Sequence, residues 1–203
     1  MFNRKDFDLE LKKLDVFAQA GYHLAIHIRF SSPLMHLQTY NPAWVKRYTE
    51  NGYVLRDPIV AWAFASKGAT RWSNTPIPDP FGILKESQRF GLKYGVTVST
   101  GPLSSRTVAN VARSDREHTD DEILEIERIV QTMHEMVEPT TELTKAQIAA
   151  LKLLADGDRQ AAAAAKLGIS ESALKLRLSS ARERLMARTT AEAIQRAKEY
   201  KLI

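Results

Sequence analysis

Five residues within a stretch of 33 carry most of the small-molecule chemistry this chain could do: Tyr40, Trp44, Tyr48, Asp57 and Trp72. They occur in the order TYNPAWVKRY, LRDP and RWS. Trp44 and Tyr48 are four apart, so on a helix they share a face. Together they offer large apolar walls, indole N–H donors, two phenols and one carboxylate, a set suited to an amphipathic molecule carrying an amide and a carbonyl. The same residues would also serve as an aromatic core with Asp57 capping the next helix, and composition alone leaves both readings open.

Catalytic patterns are missing from the sequence. It has no HExxH, no GxSxG, no glycine-rich phosphate loop and no carboxylate cluster with metal-ligand spacing. The five histidines, His23, His27, His36, His118 and His134, have no shared ligand spacing, and the even spacing of His23 and His27 places both on one face of a strand. No Cys is present, which excludes disulfides and thiolate zinc sites. The expectation is a non-enzyme with no cofactor and no metal.

A second constellation lies near the end: Lys175, Arg177, Ser179, Arg182 and Arg184 in SALKLRLSSARERL. From Leu143 onward there are 12 Lys and Arg against 6 Asp and Glu, leaving 17 against 18 before it, so the net charge of +5 originates entirely in the last 61 residues. Basic groups concentrated on one module are the footprint of nucleic-acid binding, although solvated lysines on a short helical domain give the same count.

The elements that must position these groups follow from periodicity. A helix is expected over Lys5 to Gln19, ended by Gly21. Tyr22 to Phe30 alternates as a strand with one covered face, and Ser31-Ser32-Pro33 turns it into a second strand, Leu34 to Tyr40. Pro42 opens a helix that stops at Asn51-Gly52, and Asp57-Pro58 opens another. Trp72 falls on a loop or strand edge beside the proline-rich SNTPIPDP. A helix over about Phe81 to Phe90, strands Tyr94 to Ser99 and Thr107 to Ala112, and a long helix Asp120 to Val137 behind the capping box Thr119-Asp120-Asp121-Glu122 complete this half. The stripe Ile123, Ile126, Val130, Met133 and Val137 fits packing on the sheet or a dimer contact.

After the polar break Glu138 to Glu142, Thr144 and Gln147 form a second capping box. The helices that follow run to Ala155, over Arg159 to Leu167 with five consecutive alanines, over Glu171 to Ala187 behind Ser170, and beyond Thr189. On the third of these Leu174, Leu178, Ala181 and Leu185 share the inner face, while Lys175, Ser179 and Arg182 share an outer one. A helix, tight turn and helix with a cationic outer face fits a DNA major groove, with Arg177, Arg184 and Arg188 placed for phosphates.

In this order the residues become recognisable. Leu143-Thr144, Leu151, Gly157, KLGISESALKLRLSSARERL and AEAIQRAKEYKLI resemble the LuxR-type helix-turn-helix domain, differing from it at Gln147, where the family usually has Glu. The spacing of Tyr40, Trp44, Tyr48, Asp57 and Trp72, with Gly91-Leu92-x-Tyr94-Gly95, resembles the N-acyl-homoserine-lactone-binding domain of quorum-sensing LuxR-type regulators. That resemblance implies that Trp44 donates to the lactone carbonyl, Asp57 accepts the amide N–H, Tyr40 bonds the acyl carbonyl, and Tyr48 and Trp72 wall the ring and chain. Ile59 and Val111 stand where many relatives carry hydroxyls.

The expected fold is therefore α+β: an N-terminal antiparallel sheet sandwiched by helices (α-β-α), followed by an all-α four-helix helix-turn-helix domain. The expected domains are 1–138 for the autoinducer, 139–142 as linker and 143–203 for DNA. The implied function is a ligand-responsive transcriptional regulator, cytoplasmic and homodimeric, with promoter DNA, an acyl-homoserine lactone and RNA polymerase as partners. Two alternatives stand beside it: an orphan or sequestering relative with a non-lactone ligand or no productive DNA binding, and a sigma-factor-like promoter binder, since SALKLRLSSARERL also looks like the promoter-reading helix of small sigma factors.

Overall fold

The computed structural model describes residues 3–29, 32–137, 143–200 and 202–203. The predicted strand end at Phe30, the turn residue Ser31 and the break Glu138 to Glu142 lie outside the described residues. Contacts divide the chain at residues 138 and 139 into two compact units.

In the first unit, α1 (Arg4–Phe17) starts at Asn3, whose side chain accepts the Lys5 amide. It is followed by β1 (Gly21–Arg29), β2 (Ser32–Gln38), α2 (Pro42–Glu50), α3 (Pro58–Ala65), β3 (Gly68–Arg71), α4 (Ile83–Ser87), β4 (Tyr94–Thr100), β5 (Arg106–Arg113) and α5 (Asp120–Val137). The five strands form one antiparallel sheet in the order β2-β1-β5-β4-β3. β3 is a strand the sequence reading did not anticipate: four residues, GATR, are too few to show alternation.

Alternation gives the sheet two kinds of wall. Leu24, Ala109 and Val98 lie side by side in register and are fully buried. α5 packs on the sheet with its apolar stripe Ile126, Ile129, Val130, Met133 and Val137, and α1 packs on α5 through its buried Phe7 and Leu14. The neighbouring row, His23, Asn110 and Thr97, points the other way. There α2, α3 and α4 stand off the sheet.

One expectation fails at the end of β1. The pairing with β5 shifts register between Ala25 and Ile28, and His27 adopts a positive φ of 50°. This bulge turns the strand over, so His23 and His27 do not share a face. His27 instead inserts its ring between Ser105 Oγ (2.8 Å) and the carbonyl of His134 on α5 (2.9 Å). Ile28 packs with Trp62, Ala63 and Val108 for the same reason.

The second unit holds α6 (Lys145–Ala155), α7 (Gln160–Lys166), α8 (Glu171–Arg184) and α9 (Thr190–Glu199). Thr144 and Gln147 cap α6 reciprocally, and Gln147 reaches Ser180 as well, at 3.0 Å. Leu151, Leu174, Leu178, Ala181, Leu185, Ala193 and Ala197 form the core. Of the five alanines only Ala163 and Ala164 are buried, because a helix presents one side to its neighbours. α8 ends three residues before the expected Ala187: Met186 has a positive φ of 53°, and Arg196 caps the carbonyls of Leu185 and Met186.

Candidate functional site

Between the sheet and α2, α3 and α4 lies a cavity of about 280 Å³, near the lower end of small-molecule sites, roughly 300–1,000 Å³. All five aromatic and acidic residues singled out by spacing line it. Each owes its position to local structure.

Asn41 caps α2, with Pro42 in the first turn, and the helix directs Trp44 and Tyr48 toward the sheet. Trp44 is 5% exposed and packs against the rings of Phe90 (5.4 Å), Tyr48 (5.6 Å) and Tyr53 (6.1 Å). These contacts fix the ring. Among the described residues none accepts the indole N–H of Trp44. Glu86 on α4 holds this wall in place, accepting from Arg47 Nε at 2.8 Å and from the Tyr53 hydroxyl.

Asp57 is the N-cap of α3: one carboxylate oxygen accepts the Ile59 amide at 2.8 Å and the other accepts the Tyr48 hydroxyl at 2.8 Å. A carboxylate has about four acceptor positions, so these bonds do not exhaust it. Burial raises the Asp57 pKa, against the lowering effect of the Tyr48 hydroxyl and the α3 amides. The capping role and the cavity-lining role are thus carried by the same side chain.

Tyr40 donates to the Asn110 carbonyl at 3.1 Å, and burial, then the nearby Asp57, push its pKa well above the usual phenol range. Burial followed by Asp57 does the same to Tyr48. Both phenols therefore stay protonated. Trp72 follows β3 directly and lies flat on β4. A Cβ added at Gly95 would sit 2.2 Å from the Trp72 ring, so the absence of a side chain there creates the slot for the indole. Trp72 Nε1 donates to Thr97 Oγ1 at 2.9 Å, and Thr97 donates to Asn110 Oδ1 at 2.6 Å.

Several lining residues escaped sequence reasoning. Asn110, His23, His36 and Gln38 come from the sheet, and Ile83, Leu84 and Ser87 from α4. Val111, which stands where many relatives carry a hydroxyl, is fully buried and does not line the cavity, whereas its neighbour Asn110 does. The single amide in the apolar run TVANVA was the available signal. Ile59 does line the cavity. Among the described residues no group of three or more His, Cys, Asp or Glu could hold a metal, and no helix is long and apolar enough to cross a membrane.

In the second unit Lys175 is exposed on α8, whereas Arg177, Ser179, Arg182 and Arg184 are half-buried. Arg182 lies beside Ser179, Nη2 to Oγ 3.4 Å. Leu174, Leu178, Ala181 and Leu185 face inward as the periodicity required.

Residues 17–138 match the autoinducer binding domain. The chain is 29% identical over 180 residues to the transcriptional activator protein RaiR of Rhizobium etli, covering 80% of this chain and 74% of that protein. It is 25% identical to the transcriptional activator protein AnoR of Acinetobacter nosocomialis over 199 residues, 89% of this chain and 84% of that one. The fold resembles the crystal structure of Escherichia coli SdiA with a TM-score of 0.53 at 20% identity, covering all of this chain and 93% of SdiA. With a domain match over more than half of its length, lying on the unit that encloses the aromatic cavity, the chain belongs to the autoinducer-binding family of LuxR-type quorum-sensing regulators.

Proposed function

We propose that the cavity binds an N-acyl-homoserine lactone and that the bound chain regulates transcription by contacting promoter DNA. The carrying observation is the pairing, in one cavity, of a fixed indole N–H that no described residue accepts with a buried carboxylate that has acceptor capacity left. A molecule with a carbonyl and an amide N–H satisfies both. In this reading Trp44 takes the lactone carbonyl, Asp57 the amide N–H and Tyr40 the acyl carbonyl, while Tyr48 and Trp72 form walls. Buried polar groups are costly unmatched, so the ligand stabilises the domain by mass action.

Residues 1–138 act as the ligand domain, 139–142 as linker and 143–203 as a helix-turn-helix domain. α8 enters the major groove, with Lys175, Ser179 and Arg182 toward bases and Arg177 and Arg184 toward phosphates. A homodimer would read two half-sites. The Gln147 departure supports this reading more than a sequestering one, because Gln147 completes the α6 cap and ties it to Ser180 on α8. Gel-shift titration with and without octanoyl-homoserine lactone tests the whole reading: salt-sensitive, sequence-selective retardation is expected, and none in either state supports sequestration.

A further inference from the structure

The cavity adjoins a second space beside β2. An open groove of about 600 Å³ lies between β2 and α2, and four of the residues that line it, Gln38, Tyr40, Val45 and Thr49, line the cavity as well. The two spaces therefore meet at these four side chains. Topology keeps the groove open: β2 is the outermost strand of the sheet on this side, so among the described residues no further strand stands beside it to seal its gap from α2.

The groove suits an alkyl chain. Tyr40, Pro42 and Val45 give it an apolar floor, and Thr49 Oγ1 is turned back onto the Val45 carbonyl of its own helix at 2.9 Å, so its polar atom is already satisfied. Lys46 and Glu50, both exposed and 3.8 Å apart, make a charged rim in water. Tyr40 sets the direction. It is the residue that takes the acyl carbonyl, and it borders both spaces, so the chain that begins at that carbonyl starts at their junction. The cavity alone, about 280 Å³, is just below the roughly 300–1,000 Å³ of ordinary small-molecule sites, and the groove adds roughly twice as much space.

We propose that the groove between β2 and α2 is a second subsite that takes the far part of the acyl chain, with the end of the chain at the protein surface. The protein then accepts long acyl groups, and acyl groups with a bulky end, that a closed cavity would reject by overpacking. This rests on the acyl-lactone reading of the cavity and names the ligand subclass within it.

Calorimetry of the full chain with hexanoyl-, decanoyl- and 10-biotinamidodecanoyl-homoserine lactone tests it in the natural sequence, Thr49→Trp and Gln38→Phe. Burying one methylene strengthens binding about fourfold, and an open groove gives part of that, so decanoyl lactone should bind the natural sequence about tenfold or more tightly than hexanoyl lactone. The biotin-ended ligand should bind within about threefold of decanoyl lactone. Thr49→Trp, which plugs the junction from an exposed helix position, should bring decanoyl within about twofold of hexanoyl lactone. Gln38→Phe plugs it from the strand side should the tryptophan variant not fold. Decanoyl lactone binding no better than hexanoyl, rejection of the biotin-ended ligand, or a chain-length preference that survives the plug overturns the inference while leaving the acyl-lactone reading intact. Failure of all three ligands to bind the natural sequence overturns that reading and the inference with it.

Discussion

Asp57 shows how one side chain can hold a helix start and line a cavity together. Asp57 caps α3 through Ile59 and anchors Tyr48, so its substitution has to be judged on both counts. Asp57→Asn retains an oxygen for the cap, and Asn and Asp cap comparably, so unfolding in urea should change by no more than about 1 kcal/mol. Ligand affinity should fall at least tenfold, because the new amide presents donors where the ligand does too. The charge has its own signature. Since burial raises the Asp57 pKa, its ionisation opposes folding, and it costs stability as pH rises through the raised folded value. His23 acts with the opposite sign. Its folded pKa, lowered to about 4, lies under the ordinary 6.5, so the folded state binds fewer protons and stability is lost as pH falls from 6.5 toward 4. His118 is lowered too, mainly by burial, and acts with the same sign. The urea midpoint of His23→Gln should fall less steeply than that of the natural sequence between those pH values; parallel curves would place His23 in solvent.

At the scale of elements, what was legible in the sequence was what local chemistry decides. α5 begins at Asp120 as the Thr119 and Glu122 capping box required, and α2, α3, α6 and α9 start at their caps. That the aromatic and acidic residues line one cavity was legible because a helix repeat and two short motifs locate them. The sheet contribution was not. His23, Gln38 and Asn110 become neighbours only through strand order and register, which are set by pairings between residues far apart in sequence, and the bulge at His27 was invisible to an alternation count. Two substitutions probe elements directly. Gly95→Ala drives a methyl into the Trp72 ring, and overpacking of this kind costs about 1–3 kcal/mol; a melting temperature within a degree of the natural protein would show that Trp72 is not held there. Gln147→Ala removes half of the α6 cap and the bond to Ser180, and should cost about 1 kcal/mol in urea unfolding, with no change in ligand affinity.

For the molecule as a whole, the proposed division of labour puts signal capture in one unit and DNA contact in the other, and this division is measurable. Lys175→Ala removes an exposed cation from α8. It should weaken operator binding in a gel shift and relax sequence preference at the base it reads, leaving lactone affinity unchanged. Unchanged operator affinity would remove Lys175 from the reading face. The excess of positive charge after Leu143 makes a strong salt dependence the expected behaviour of that unit.

The central claim is that the indole of Trp44 grips the polar head of an acyl lactone, and calorimetric titration of the purified natural chain and of Trp44→Phe with octanoyl-homoserine lactone tests it most directly. The account predicts saturable binding to the natural chain, weakened about tenfold or more in the variant, as expected for losing one buried hydrogen bond worth about 1–3 kcal/mol. Absence of saturable heat with the natural chain, or equal affinity in the phenylalanine variant, would contradict it.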